Sequence, residues 1–232
     1  MTSLAARAIA DEQMDAPDLP AEIYRDVLAD LAKVNRATFA AWPTLAFLKR
    51  ALGDRRRFTL LDVGFGQGDM LRAIARWAEG RGLVADLVGV DLNPNSEIMA
   101  REATDPALPI RYLTGDYHDH AGQHWDFVVS SLVTHHMAPP ELEAFLRFME
   151  RESAIGWMVN DLHRHWLAYH GFPWLARLAG WHRIVREDGQ LSIARSFRPA
   201  EWRGLLKTAR IDGSAAKVAR RFPFRLCVER IR

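Results

Sequence analysis

The chain has 232 residues, of which 49% are hydrophobic and 26% charged, with a net charge of +2 at pH 7. This length suits one α/β domain with a sizeable core, and no apolar run reaches the roughly 18 residues of a membrane span. The N-terminus lacks the long apolar core of a secretory signal, and the single cysteine, Cys227, excludes an internal disulfide. These features predict a cytoplasmic protein without a membrane partner.

The charges are divided unevenly along the chain. Residues 1–150 contain 15 Lys and Arg against 22 Asp and Glu, a net of −7, whereas residues 151–232 contain 16 against 7, a net of +9. A basic region can bind nucleic acid when its charges share one face. Here the arginines are spread along the whole region, which favours a solvated surface over a nucleic-acid site.

The N-terminal part is predicted to be helical. Residues 11–20 are acidic and contain prolines, so we expect a loose leader there. Apolar residues at helical spacing then predict two helices over 21–51, with a break near Trp42 and Pro43.

Five predicted strands follow, and helices alternate with them. The strands cover residues 58–63, 83–91, 110–116, 125–132 and 154–161. Apolar spacing predicts a helix over 67–79, and another begins at Pro139 and Pro140, because proline suits the first turn. This alternation predicts a doubly wound α/β fold with a parallel sheet.

The C-terminal part departs from that alternation. A helix is predicted from Pro199 to Thr208, followed by two short strands around a turn, which gives a mostly parallel seven-stranded sheet. The stretch 162–198 is too long for an ordinary connection, so we expect a mobile helical cap there. We therefore divide the chain into an N-terminal helical segment, 1–55, and a main domain, 56–232, that contains the cap.

A glycine-rich stretch follows the first strand. LLDVGFGQGDM, residues 60–70, carries glycines at alternate positions, namely Gly64, Gly66 and Gly68. A backbone without Cβ atoms lets a ligand lie against the turn. Asp91 ends the next strand, 23 residues after Gly68, where a carboxylate can accept hydrogen bonds from two ribose hydroxyls. The pattern predicts a nucleoside-containing ligand.

The acids around this loop narrow the ligand further. The dinucleotide pattern G-x-G-x-x-G, started at Gly64, needs glycine at position 69, where this chain has Asp69. Asp62 and Asp69 flank the loop and disfavour a pyrophosphate. A ligand with a cationic amine and a sulfonium tolerates them, so the acids argue against NAD.

Four stretches now stand in order between residue 60 and about residue 150. They are LLDVGFGQGDM, VGVDLNPNSEIMARE, YLTGDYHD and WDFVVSSLVTHHM. Together they resemble the class I S-adenosylmethionine-dependent methyltransferases, and most of all the small-molecule enzymes of ubiquinone and menaquinone biosynthesis. The resemblance implies a Rossmann-like fold, S-adenosylmethionine as cofactor and S-adenosylhomocysteine as product. Outside these stretches it holds only in outline, so no acceptor residue is implied.

The same resemblance implies roles for individual side chains. Asp62 and the three loop glycines would hold the methionine portion, and Asp91 the ribose. Leu92 would pack on the adenine, Asp116 would accept from its exocyclic amine, and Tyr117 would lie beside the ring. Ser130 would approach the methionine amine. The alternatives are core packing for Leu92 and Tyr117 and a capping role for Asp62 and Asp91.

Histidines and aromatic residues gather where an acceptor would bind. Ligands of open α/β sheets bind beyond the carboxyl ends of the strands. All nine histidines fall between residues 118 and 182, most of them in strand-end loops, and the predicted cap is rich in aromatic residues. This composition suits a small, flat aromatic acceptor with hydroxyl groups, phenolic, polyketide-like or quinone-like.

Methylation of a phenol is helped by a base, because a phenol has a pKa of about 10. Histidine titrates in the right range. The candidates are His135, His136 and His163, with a structural role as the alternative for each. We favour oxygen as the methylated atom, although the same activation serves carbon methylation, since a phenolate places charge on its ortho carbon.

The alternatives to this function are a metal site, an RNA methyltransferase and a non-catalytic binding module. His163 and His165 could chelate a metal, yet adjacent or alternate histidines rarely face one way and magnesium prefers oxygen ligands, so we expect no metal. An RNA methyltransferase acting on base amino groups would carry an N-P-P-Y-like tetrapeptide where this chain has SSLV, so a nucleic-acid partner is not expected. A non-catalytic cofactor-binding module and a homodimer both stay open.

Overall fold

The computed structural model describes residues 4–16 and 18–232. Seven strands form one sheet: β1 (Arg57–Val63), β2 (Val84–Asp91), β3 (Ile110–Thr114), β4 (Trp125–Ser131), β5 (Ser153–Leu162), β6 (Ala216–Arg221) and β7 (Arg225–Ile231). Eight α-helices accompany them in the described ranges: α1 (Ala21–Ala37), α2 (Ala41–Leu52), α3 (Asp69–Glu79), α4 (Pro94–Glu102), α5 (Pro139–Glu152), α6 (Trp166–Leu178), α7 (Arg183–Arg195) and α8 (Pro199–Thr208).

The strand order is β3-β2-β1-β4-β5-β7-β6. Strands β1 to β5 are parallel, whereas β7 runs antiparallel to both of its neighbours, β5 and β6. The predicted doubly wound, mostly parallel seven-stranded sheet is therefore confirmed. Its order reverses between β1 and β4, and the crevice beyond the carboxyl ends of these strands is where such sheets bind ligands.

Both faces of the sheet are buried, as the continuous apolar run of β1 predicts. Leu60 packs into a cluster with Phe47 of α2 and Ile74 of α3. Its neighbour Leu61 points to the other face and packs with Leu146 of α5. This double cover holds β1 rigidly, so the loop that follows it begins from a fixed position.

The break in the N-terminal helices lies earlier than predicted. Helix α1 ends at Ala37 and α2 begins at Ala41, so Trp42 and Pro43 lie inside the first turn of α2. Proline fits there because the first backbone N–H groups of a helix have no partner within it. The boundary proposed between residues 55 and 56 falls in the loop between α2 and β1.

The expectation of a loose leader is wrong for the N-terminal segment, by which we mean residues 4–16. Its Glu12 is buried. The carboxylate of Asp188, in α7, accepts hydrogen bonds from the backbone N–H groups of Gln13 and Met14 at 3.1 and 2.9 Å. The acidic composition suggested a solvated tail. It gave no sign of these contacts because their partner, Asp188, lies 174 to 175 residues further along the chain.

Helices α6 and α7 occupy the predicted cap, 162–198, and pack on each other and on α1. Val27 of α1 forms one buried cluster with Trp181, Ile184 and Val185 of the cap. The cap therefore rests on the N-terminal helix α1. Whether it moves stays a prediction.

Within the described part of the chain, no helix combines the length and apolar character needed to cross a membrane.

Candidate functional site

A cavity of about 660 Å³ lies beyond the carboxyl ends of β1, β2 and β4. Its walls come from the glycine loop, the N-terminal segment, α1, the cap and the β6–β7 hairpin. The volume lies within the roughly 300–1,000 Å³ typical of small-molecule sites. The two predicted ligand regions, for cofactor and acceptor, thus belong to one continuous space.

The three loop glycines have left-handed backbones, with φ of 77° at Gly64, 54° at Gly66 and 76° at Gly68. Gly64 and Gly66 line the cavity, whereas Gly68 is not among its lining residues. A Cβ on Gly68 would collide with the ring of Tyr112. The first two glycines therefore face the ligand space, and the third permits close packing at the start of α3.

Asp62 lines the cavity at the end of β1 and is almost fully buried. Neither carboxylate oxygen has a hydrogen-bond partner among the described residues. Burial, with the nearby charges of Asp69 and Asp91, raises the pKa of Asp62 to about 8. A buried carboxyl without partners is costly, and a cationic group placed beside it would offset that cost.

Asp91 lines the cavity and also braces the glycine loop. Its Oδ2 accepts from the backbone N–H of Gly66 and its Oδ1 from that of Asn93, both at 2.9 Å. Burial raises the pKa of Asp91, against these hydrogen bonds. Each carboxylate oxygen can accept two hydrogen bonds, so the structural role leaves capacity for ribose hydroxyls.

The expected adenine residues lie along the same cavity wall. Leu92 lines the cavity and is 75% exposed, so it does not belong to the core. Asp116 accepts hydrogen bonds from the backbone N–H and from Nδ1 of His118, which hold the pKa of its carboxyl below the usual range. Tyr117 lines the cavity and also packs against Phe148, at 4.8 Å between ring centroids.

Ser130 does not face the cavity. Its hydroxyl donates to the carbonyl of Val63 at 2.9 Å within the sheet, whereas Ser131 lines the cavity. Successive side chains of a strand point to opposite faces, so the serine that faces the cavity is one position later than the one the resemblance implies.

His135 is buried beside the cavity and is held by Asp161, near the end of β5. Its Nδ1 lies 2.7 Å from Oδ1 of Asp161, and its backbone N–H donates to Oδ2 of the same carboxylate. Burial raises the pKa of Asp161, but the charge and hydrogen bond of His135 dominate and lower it to about 2. In the tautomer that donates from Nδ1 to Asp161, Nε2 is the ring nitrogen that can accept a proton.

His136 points the same way as His135, which the sequence did not predict. The two rings lie 4.2 Å apart, and Nδ1 of His136 is 3.0 Å from the carboxylate of Asp15. Both Nε2 atoms face Glu12, at 3.6 Å for His135 and 3.9 Å for His136. Burial raises the pKa of Glu12 to about 7, against the lowering effect of His136.

Glu12 is the site residue that sequence analysis missed. Its position in an acidic leader gave no indication of burial. It forms with His135 and His136 a group whose ligand atoms lie within 4.8 Å of one another, a geometry that can hold a metal ion. Asp161 and Asp15 would then be the outer carboxylates that orient the two histidines.

His163 lies outside the cavity. It is buried, its backbone N–H donates to the carbonyl of Phe224, and it is not among the cavity-lining residues. Burial, with the nearby Arg220, lowers the pKa of His163 to about 4. The structure thus brings two of the three candidate bases to the site and leaves the third away from it.

Comparisons with known proteins agree with this architecture. A family model described as "Methyltransferase domain" matches residues 60–152. No curated protein matches the chain.

Solved structures show a similar fold. Plantazolicin methyltransferase BpumL in complex with SAH has a TM-score of 0.65 at 13% identity, over 91% of this chain and 96% of that chain. Magnesium protoporphyrin IX methyltransferase from Synechocystis PCC 6803 with bound SAH has a TM-score of 0.56 at 16% identity, over 95% and 91%. Human N-acetylserotonin methyltransferase in complex with SAM has a TM-score of 0.62 at 12% identity, over 92% and 56%.

Identities this low carry the fold alone, whereas the family model identifies the domain directly. Residues 60–152 thus match a methyltransferase domain, and the whole chain has the fold of class I S-adenosylmethionine-dependent methyltransferases.

Proposed function

We propose that this protein transfers the methyl group of S-adenosylmethionine to a hydroxyl oxygen of a small aromatic acceptor. The observation that carries the proposal is one continuous cavity with two different ends. Asp62, without a hydrogen-bond partner in the described chain, lies below the glycine loop, and His135, held by Asp161, lines the same space. The first suits a cationic cofactor and the second a hydroxyl that must lose its proton.

The residues proposed to bind the cofactor are chosen among those that line the cavity. Asp62 and the backbone at Gly64 and Gly66 would hold the methionine portion, and Asp91 the ribose. Leu92, Asp116 and Tyr117 would surround the adenine. Gly68 and Ser130 would support this arrangement through packing and the sheet.

S-adenosylmethionine held by these residues would supply its methyl group to the acceptor oxygen and would leave as the neutral thioether S-adenosylhomocysteine. Nε2 of His135 takes the hydroxyl proton as the new bond forms. Asp161 stabilises the resulting imidazolium through the contact at Nδ1. Much of the acceleration comes from holding the two reactants in line, and the base contributes the rest.

The acceptor class is inferred from the lining of the cavity. The cavity that contains His135 is also lined by apolar side chains from α1, α6 and α7, among them Leu28, Leu31, Phe172, Leu175 and Ile193. A flat ring can pack against such a wall while its hydroxyl reaches the histidine. The similar structures act on a plantazolicin, a magnesium porphyrin and N-acetylserotonin by their names, and at their identities none of these acceptors is carried over.

Three alternatives give different outcomes in the same assays. Carbon methylation would use the same base and yield a product that keeps its phenol. An RNA methyltransferase would label RNA and no small phenol, and a binding module would bind S-adenosylhomocysteine without turnover. We place the protein in the cytoplasm because its only cysteine, Cys227, is buried and free; a homodimer stays open.

The test is a screen of phenolic and quinol acceptors with methyl-labelled S-adenosylmethionine. We expect label in a methyl ether, identified by mass spectrometry and NMR. The matched control for each active phenol is the same ring with its hydroxyl replaced by hydrogen, which should stay unlabelled. Labelling of the control ring, or no labelling of any phenol by a protein that binds the cofactor, would reject the proposal.

A further inference from the structure

We propose that Arg225 binds a carboxylate group of the molecules held in the cavity. This inference rests on the proposed function, because it assumes that the cavity holds S-adenosylmethionine and an acceptor together. The carboxylate belongs either to the methionine portion of the cofactor or to the acceptor, which would then be a hydroxy acid. Both sources present the same chemistry to the guanidinium.

Arg225 is the first residue of β7 and pairs with Leu162 at the end of β5. This register puts it at the carboxyl edge of the sheet, and its side chain lines the cavity. It is only 2% exposed. Nη2 donates to Oγ1 of Thr38 at 3.1 Å, while Nε and Nη1 have no partner in the described chain.

Two other buried arginines show what a purely structural guanidinium looks like in this protein. Arg164 donates to the carbonyls of Leu4 and Ser196 and to the carboxylate of Glu201. Arg195 donates to the carbonyls of Ala10, His135 and His136. In each of these two arginines all three guanidinium nitrogens donate hydrogen bonds, whereas in Arg225 only Nη2 donates one within the described chain.

The nearest acids do not neutralise Arg225. Asp69 and Asp161 act on its charge from a distance, but no ion pair joins either of them to it in the described ranges. Asp69 instead accepts from Asn35, and Asp161 from Thr134 and His135. A buried cation without its own anion is strongly unfavourable, so an anionic ligand group there would be stabilising.

A carboxylate suits this position better than a single-atom anion. Guanidinium presents its N–H groups in a planar fork that matches the two oxygens of a carboxylate. Asp62 offers the opposite charge elsewhere in the same cavity. A ligand set with one ammonium and one carboxylate satisfies both buried groups at once.

The first experiment measures binding of S-adenosylhomocysteine and of its decarboxylated analogue, S-adenosyl-3-thiopropylamine, by calorimetry. If the methionine carboxylate is the partner, Arg225→Met weakens S-adenosylhomocysteine binding by about 10- to 100-fold, the range for charge-assisted hydrogen bonds. The analogue should bind the parent and the variant equally. Arg221→Met, at the cross-strand partner position in the same hairpin, is the control and should leave both affinities unchanged.

The second experiment applies to the acceptor. The parent and Arg225→Met, both loaded with S-adenosylhomocysteine, are titrated with 4-hydroxybenzoate and with phenol. If the acceptor carboxylate is the partner, the parent prefers the benzoate by about 10-fold or more and the variant loses that preference.

The proposal is overturned if Arg225→Met matches the parent for S-adenosylhomocysteine and for both phenols. Should that variant not fold, Arg225→Lys keeps the charge without the fork and must lower the same affinity severalfold. The parent protein must also bind the carboxylated compound of at least one pair more tightly: S-adenosylhomocysteine over its decarboxylated analogue, or 4-hydroxybenzoate over phenol. A parent protein that does not bind S-adenosylhomocysteine would contradict the proposed function instead.

Discussion

The two ends of the cavity are built in different ways. The proposed cofactor end comes from residues 62–69 and 91–93 and their neighbours, which lie at the carboxyl ends of two adjacent strands of one sheet. The proposed acceptor end joins Glu12 and His135, which line the cavity, with Asp161, which holds His135, from three distant parts of the chain. A motif of neighbouring residues can be recognised in a sequence, whereas a site built from distant residues can be identified only from the folded structure.

The sharpest test of this division is His135→Ala. We expect turnover of a phenolic acceptor to fall by about 10²- to 10⁴-fold, the usual range for general base catalysis. The affinity for S-adenosylhomocysteine should stay within about twofold, because the histidine serves only the acceptor end. The loss should shrink as the pH rises towards the pKa of the phenol, since solvent then supplies the phenolate.

His163→Ala is the comparison for that experiment. It removes another buried histidine, one that lies outside the cavity. We expect turnover within about threefold of the parent once the folded fraction is taken into account. Equal losses in the two variants, or a His135→Ala loss independent of pH, would show that His135 shapes the pocket without acting as a base.

Asp91→Ala should show the opposite pattern. We expect cofactor affinity to weaken by about 1.5–3 kcal/mol, the scale for charge-assisted hydrogen bonds, while acceptor binding barely changes. Asp91→Asn keeps one oxygen that can accept from the N–H of Gly66. It therefore tests the ribose contact separately from the support that Asp91 gives to the glycine loop. An unchanged dissociation constant in folded Asp91→Ala would remove the ribose role.

The raised pKa of Asp62 predicts that binding of S-adenosylhomocysteine releases a proton. Its pKa of about 8 leaves it mostly protonated in the free protein at pH 6.5. The ammonium of S-adenosylhomocysteine favours the ionised form, so binding should release about one proton. Calorimetry in buffers of different ionisation enthalpy measures this number. Asp62→Asn should release none, and equal release from variant and parent would assign the proton to another group.

The same raised pKa sets a pH dependence of stability. Below about pH 4, Asp62 is protonated in both folded and unfolded chains, and its favourable contribution is complete. Between about pH 4 and pH 8 only the unfolded chain ionises, so the free protein loses stability as the pH rises. Denaturant titrations should show this loss reduced in Asp62→Asn, whereas an identical slope would contradict the shift.

The smallest expected effect is that of removing metal ions. If Nε2 of His135 is the free base, dialysis against a chelator leaves turnover unchanged. Loss of activity, restored by a divalent cation and absent from Glu12→Gln, would show instead that Glu12, His135 and His136 bind a metal. The base assignment would then be wrong.

Sequence patterns named more of the cavity-lining residues at the first of these two ends than at the second. Alternation of strands and helices gave the sheet, and the acids around the glycines separated a sulfonium ligand from a dinucleotide. Burial of Glu12 was invisible because its partners, such as Ser192 at 2.8 Å, lie far along the chain. The resemblance pointed to Ser130, whereas Ser131 is the serine of β4 that lines the cavity, because a resemblance between sequences does not fix which face of a strand a side chain occupies.

Arg7 joins the beginning of the chain to its late parts. Its Nη2 donates to the carbonyl of His135 at 2.9 Å, and its guanidinium lies 3.8 Å from the ring centroid of Phe197. Contacts between residues so far apart in the sequence require the closure of a long loop, which costs chain entropy. The N-terminal segment can therefore complete the cavity wall only after the residues around His135 and Phe197 have reached their folded positions.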